Sequence, residues 1–306
     1  MVLWYAKIAA EFGGGLWTEG KTMKVGIASF LSEPVASDAE PMIERLVVFA
    51  QEIEKRGFDG VWVGDWLGRG TATLDPLIAL ATLCSVTKRI EFGTCVVQVP
   101  IRNPVELAHK VQTLNVLSQG RFTFGVGAGS TRADFDLLGM DFTKRFSTLK
   151  SSIDVMRRTW RGEAINGVSL SPWKANGSGP PIVIGAWRNA NWIRYAAESC
   201  EGWIASGLFS KWDQAAAGIR QYRELGGKRA ILANVLVDLR EVPQWQEDWA
   251  RNAEISLACP IDLARERLAK IEALGFDDVI LLPPDESPQS LDMVSELLQG
   301  RRLQSR

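Results

Sequence analysis

The 306-residue chain has a single histidine, His109, and that scarcity removes whole classes of chemistry. A Ser-His-Asp triad needs an imidazole beside its nucleophile, and zinc sites draw on clustered His and Cys ligands. The four cysteines, Cys84, Cys95, Cys200 and Cys259, are scattered with no C-x-x-C pair, so neither a disulfide framework nor a metal site is expected. No apolar run reaches the roughly 20 residues that span a bilayer, which excludes a membrane helix and points to the cytoplasm. An excess of either charge is also missing: 35 basic side chains face 36 acidic ones, for a formal charge of −1. No long-range field therefore gathers nucleic acid or anionic lipid, and a small-molecule partner is the default. In the first 22 residues, Lys7 and Glu11 interrupt the only apolar stretch, which makes a poor signal peptide. Residues 1–22 read as an N-terminal extension and residues 23–306 as the domain.

What is present is a rhythm. From Lys24 onward, short β-branched runs alternate with longer segments of helical period, the pattern of βα units around a parallel sheet. The strand-like runs are KVGIASF, GVWVGD, IEFGTCVV, RFTFGVGAG, PIVIGAW, EGWIAS, AILANVLVDL and DDVILLPP, and eight helical patterns lie between and after them. Asp75 followed by Pro76 reads as an N-cap and first helical residue. Eight such units predict an α/β fold, a single (β/α)8 barrel whose functional residues gather at the C-terminal strand ends. An open doubly wound sheet would want a glycine-rich turn after its first strand, and SFLSEPVASDAEP has no glycine. Two long segments, NGVSLSPWKANGSGPP and REVPQWQEDWARNAEISLACP, are the expected insertions at the barrel mouth.

The strand ends are Asp65-Trp66, Thr94-Cys95-Val96, Gly125 to Ser130, and Gly185-Ala186-Trp187, rich in small residues and poor in titratable ones. Such a rim suits a flat, partly apolar ligand with an anionic tail, the tail facing the helix that opens after Trp187. Each element also has a plainer reading. GVGAG can reflect close strand–helix packing, Asp65 can cap the following turn, and Cys95 can be a small apolar residue. His109 shares a helix with Leu107, Val111, Leu114 and Leu117, whose positions point the other way, so it is expected to face solvent.

The series FGTCVV, IRNPVELAHKVQTLNVLSQGRFTFGVGAG, Arg145 with MRRTWRG, and PPIVIGAWRNANWIRYAAESCEGWIAS resembles the flavin-dependent luciferase-like monooxygenases, a family that includes deazaflavin-dependent oxidoreductases. The resemblance runs from about Met23 to about Gln299. It rests on R-x-P-x-x-x-A, on T-L-x-x-L-S-x-G-R-x-x-x-G-V-G-A-G, and on P-P-I-x-I-G with A-A-E and G-W downstream.

The resemblance implies a (β/α)8 barrel holding reduced FMN or a deazaflavin coenzyme at its C-terminal mouth. It implies a cofactor shell of Asp65, Thr94, Cys95, Val96, Ala128, Gly129, Ser130, Gly185, Ala186 and Trp187. Within it, Cys95-Val96 matches a non-prolyl cis peptide and bulge that brace the ring, Ala128-Gly129-Ser130 a loop at the ring edge, and Gly185-Ala186-Trp187 a turn whose amides receive the phosphate. Two departures stand out. Trp66 occupies the place where many relatives have histidine, and an indole can stack or exclude water but cannot serve as a base. Ser130 replaces the acidic residue of the family's sugar-phosphate dehydrogenases. The implied activity is a monooxygenase using reduced FMN and oxygen on a small organic substrate, with Trp66 lining the reaction chamber. The alternatives are hydride transfer by a deazaflavin and a non-catalytic flavin-binding relative. A flavin reductase partner and a homo-oligomer are implied with it.

Overall fold

The structure, a computed structural model, describes residues 22–32, 41–174, 177–187 and 189–299. Nearly all of the N-terminal extension, through residue 21, lies outside them, as do residues 33–40 of the first turn. In chain order the first elements are β1 (Lys24–Ser29), α1 (Met42–Arg56), β2 (Gly60–Val63), α2 (Pro76–Ser85), β3 (Glu91–Thr94), β4 (Val97–Gln98), α3 (Pro104–Leu117), β5 (Phe122–Gly127), α4 (Arg132–Leu137) and α5 (Arg145–Trp160). There follow β6 (Ile182–Gly185), α6 (Ala190–Ser199), β7 (Gly202–Ser206), α7 (Trp212–Glu224), β8 (Arg229–Leu236), α8 (Asp248–Arg251), α9 (Ile261–Ala273), β9 (Asp278–Leu282) and α10 (Pro288–Leu297).

The strand order is β3-β2-β1-β9-β8-β7-β6-β5-β4, and β3 also pairs with β5. β3 and β4 are two halves of one barrel strand, so the nine segments make the eight strands of a closed (β/α)8 barrel. Every residue of β2, β5, β7 and β9 is buried, as parallel strands covered on both faces require. Helix starts follow local chemistry. The side chains of Asp75, Asn103, Asn189 and Ser287 each accept an amide N–H from the first turn of the helix they precede. Pro76, Pro104 and Pro288 open three of those helices, where their missing N–H costs nothing.

The chain divides into two compact units, one of residues 1–29, 52–60 and 183–306, the other of residues 30–51 and 61–182. In the first unit β1 pairs in parallel with β9, β9 with β8, β8 with β7 and β7 with β6. Arg229 and Asp278 join the starts of β8 and β9 through hydrogen bonds of 2.8 and 2.7 Å. In the second unit β5 carries both β3 and β4. The indole of Trp62 lies over Gly93, where a Cβ would come within 2.2 Å of it. That glycine belongs to the core rather than to a ligand.

The third barrel strand departs from its sequence pattern. IEFGTCVV, apolar apart from Glu91 and Thr94, reads as one strand-like run, and the structure interrupts it at a cis peptide between Cys95 and Val96. The register shows what this does. Gly93 faces Thr123 and Val97 faces Val126, so four steps on one strand match three on the other. The extra residue is a β-bulge, which re-aims side chains at a strand end. Four short elements were also absent from the sequence pattern: α4, α8 and the 3-10 turns Val99–Ile101 and Phe142–Lys144.

Candidate active site

In the second unit the rim begins where β2 ends. Asp65 is buried, and its carboxylate takes two hydrogen bonds from the Arg102 guanidinium, 2.7 and 2.8 Å long. A third, of 2.8 Å, comes from the backbone N–H of Gln98 in β4. With its side chain only 1% exposed, this carboxylate is engaged within the protein. Asp65 braces the bulged strand through Gln98 and Arg102. Thr94 is a brace as well, completely buried with its hydroxyl donating to the Gly125 carbonyl at 2.7 Å.

The bulge is less covered than the residues on either side of it. Thr94 and Val97 are fully buried, while Cys95 and Val96 between them are half-buried. The N–H of Cys95 donates to the Val63 carbonyl at 2.8 Å, which keeps the bulge joined to β2. Burial pushes the Cys95 thiol up to about 12, so it stays protonated and uncharged at neutral pH. A neutral thiol is a poor nucleophile, and this one acts as a small apolar surface.

At the end of β5 the glycines have internal reasons. A Cβ on Gly127 would fall 2.5 Å from Cγ2 of Val96, so the bulge side chain occupies that space. Gly129 sits at φ +80°, where a Cβ would come 2.6 Å from Gln98 Oε1 and 2.8 Å from the Phe135 ring. Protein atoms fill the places a side chain would take at both glycines, as close packing of the strand end requires. Ala128 and Gly129 are half-buried and Ser130 is exposed, so the main chain remains accessible at this edge.

Trp66 is half-buried beside these strand ends. Phe30 meets its ring edge-on, with centroids 4.6 Å apart and planes at 67°. The Arg69 guanidinium lies 5.5 Å from the same ring, and Thr73 donates to the Trp66 carbonyl at 3.2 Å. The next two amides, of Leu67 and Gly68, donate to Asp134 Oδ1 at 3.3 and 2.7 Å.

In the first unit, Gly185 ends β6 and Trp187 is 44% exposed, stacked on Phe209 at 4.4 Å and 28°. Within the turn, Ala186 is bonded at both its amide and its carbonyl. The Ala186 amide donates to the Ile204 carbonyl at 3.0 Å, and the Ala186 carbonyl accepts from Trp203 Nε1 at 2.6 Å. Ladder bonds therefore engage Ala186. The Asn189 side chain also takes the Asn191 and Trp192 amides of α6, two of the helix's free N–H groups.

Gln98, Arg102 and Asp134 were missed as site residues. Arg102 carried a signal, since it opens the R-x-P-x-x-x-A motif; Asp134 carried none. His109 is exposed as expected and lines a small surface cavity with Gln112, Trp160, Pro172 and Trp173, while Leu117 turned out to be exposed rather than part of the core face. Among the described residues no cluster of three or more His, Cys, Asp or Glu could hold a metal ion. The rim of the second unit is small and aromatic, with the Asp65 and Asp134 carboxylates engaged by internal donors and Arg69 beside Trp66, a surface on which a flat ring can lie.

A segment of 143 residues is 33% identical to the 4-hydroxyprotoasukamycin monooxygenase of Streptomyces nodosus subsp. asukaensis, covering 46% of this chain and 38% of the relative. A segment of 129 residues is 33% identical to the F420-dependent glucose-6-phosphate dehydrogenase of Amycolatopsis mediterranei, covering 40% and 39%. The match thus spans well under half the length of these relatives. The crystal structure of monooxygenase RslO1 from Streptomyces bottropensis superposes with a TM-score of 0.77 at 19% identity, over 92% of this chain and all of that one. The oxygenating constituent of 3,6-diketocamphane monooxygenase from Pseudomonas putida, solved in complex with FMN, gives 0.72 at 17% identity, over 91% and 97%. Relatives thus use FMN or the deazaflavin F420. The sequence pattern of the luciferase-like monooxygenases matches residues 23–237, and the chain belongs to that family.

Proposed function

We propose that this chain is a reduced-FMN-dependent monooxygenase acting on a small organic substrate, supplied by a separate flavin reductase and working as a homo-oligomer. The observation that carries the reading is the bulge between β3 and β4, which leaves Cys95 and Val96 half-buried between the buried Thr94 and Val97. Cys95, Val96, Ala128, Gly129 and Ser130 would hold the ring through main chain and small side chains, with Asp65 and Thr94 bracing them. When bound, the cofactor supplies the redox chemistry that no side chain of this rim can perform.

The chain's own part is to bind, orient and exclude water. Trp66 serves the last of these. Its indole has one N–H donor and no basic nitrogen, so it offers apolar surface without moving a proton. The Cys95 thiol, protonated at neutral pH, adds no charge and no competing nucleophile.

A second reading, hydride transfer by a deazaflavin, draws on the same bulge and on the F420-dependent relative. Titration of the purified protein with FMN and with the deazaflavin decides between the two, since tight binding to one alone selects it. Binding of neither contradicts both. Tight binding without turnover on aldehydes, sulfonates or alkenes selects a non-catalytic flavin-binding protein. With FMN, Trp66→Ala is expected to raise the hydrogen peroxide released per reduced FMN oxidised; an unchanged ratio counts against a water-excluding Trp66.

A further inference from the structure

Asp134 sits on α4, a helix of six residues, and is completely buried. An ionised carboxylate has no hydrogen to donate, so in such a place it must be surrounded by donors. Three are present. Gly68 N–H at 2.7 Å and Leu67 N–H at 3.3 Å come from the loop after Trp66, and Gln98 Nε2 at 2.7 Å comes from the end of β4.

The Gln98 amide is itself fixed. Its Nε2 also donates to the Asp65 carbonyl at 3.2 Å, so its Oε1 is turned toward Gly129 and has no hydrogen-bond partner there. Phe135, the next residue of α4, touches the same glycine. One short helix thus contacts the ends of β2, β4 and β5, which carry the ring site read above.

We propose that Asp134 is a positioning residue that fixes the direction of the Trp66 indole by tying the Leu67 and Gly68 amides to Gln98 at the end of β4. The proposal rests on the reading of this rim as a flavin or deazaflavin site. Two features favour amide anchoring over a purely electrostatic role. Among the described residues the carboxylate forms no ion pair, and its shortest bonds run to an amide N–H and a neutral side-chain amide. Among the described residues, Phe30 and Arg69 lie against the Trp66 ring, and Thr73 holds its backbone carbonyl.

The test is a double-mutant cycle on the fluorescence of bound, oxidised FMN or deazaflavin, which an indole in contact quenches. Trp66→Phe is expected to raise the bound emission several-fold. Asp134→Ala, which removes the anchor, is expected to raise it to a similar level, and the double variant to go no further. Asp134→Asn keeps an oxygen for the Leu67 and Gly68 amides and is expected to retain most of the quenching. Should Asp134→Ala fail to fold, Asp134→Ser, too short to reach both amides, takes its place in the cycle.

Quenching that survives Asp134→Ala, or effects of Trp66→Phe and Asp134→Ala that simply add, would overturn the proposal and leave the functional reading intact. Absence of coenzyme binding to the unaltered protein, or emission unmoved by Trp66→Phe, overturns the placement of the ring and the proposal with it.

Discussion

Asp65 and Arg102 form a two-pronged ion pair, 2.7 and 2.8 Å long, that clamps the end of β2 to the turn after β4. Their side chains are 1% and 18% exposed, so water screens the pair little. Removing one member of such a pair leaves a buried charge uncompensated, which costs about 3–5 kcal/mol. Arg102→Leu is expected to lose that much in urea unfolding. Arg102→Lys is expected to lose less, since an ammonium cannot bond both oxygens in the same fork. A loss under ~1 kcal/mol for Arg102→Leu would show that the clamp contributes little.

Val96 and Gly127 make a second pair that can be tested. Gly127→Ala places a methyl group 2.5 Å from Val96 Cγ2, an overpacking expected to cost about 1–3 kcal/mol. Val96→Ala in the same protein should recover part of the loss, because it vacates the space. Thermal unfolding of the two single variants and the double variant checks this. Strict additivity of the two losses would mean that the bulge side chain is not what demands glycine here.

The Cys95 thiol gives a pH dependence of definite sign. Burial pushes it up to about 12, whereas an unfolded cysteine titrates near ~8.5. The folded state therefore holds the proton more tightly. This contribution is fully present below the unfolded value and is lost as pH rises toward the folded one, by up to ~1.4 kcal/mol per pH unit. Cys95→Ala removes it, so the stability difference between the unaltered protein and the variant should shrink between about pH 8 and pH 11. A difference that stays flat contradicts a buried thiol. At neutral pH Cys95 should also resist iodoacetamide in the folded protein.

Much of the fold was legible because local chemistry dictates it. Asp75-Pro76 and Asn103-Pro104 are caps readable from two adjacent letters, and the eight apolar runs mark strands covered on both faces. The break in the third strand left no trace in the apolar pattern, since Cys95 and Val96 are as hydrophobic as their neighbours. Its place came only through the family likeness. The outward direction of His109 followed from helical period, but at the last residue of α3 the period gave Leu117 a buried place that packing did not supply.

The candidate site was harder to read. Trp66, Cys95, Val96 and Gly129 were legible as candidates because they end strands. What the Asp65 carboxylate bonds to was not, since its arginine lies 37 residues away. Asp134 was invisible, as its partners lie 66, 67 and 36 residues away and no period links them. Ala186 showed the same limit. Whether an amide is free depends on the neighbouring strand, and Ile204 had already taken it.

The most direct test of the central claim is a crystal structure with FMN or the deazaflavin bound. The account predicts a ring in van der Waals contact with Val96, Gly129 and the Trp66 indole. A ring bound elsewhere, touching none of the three, would contradict it.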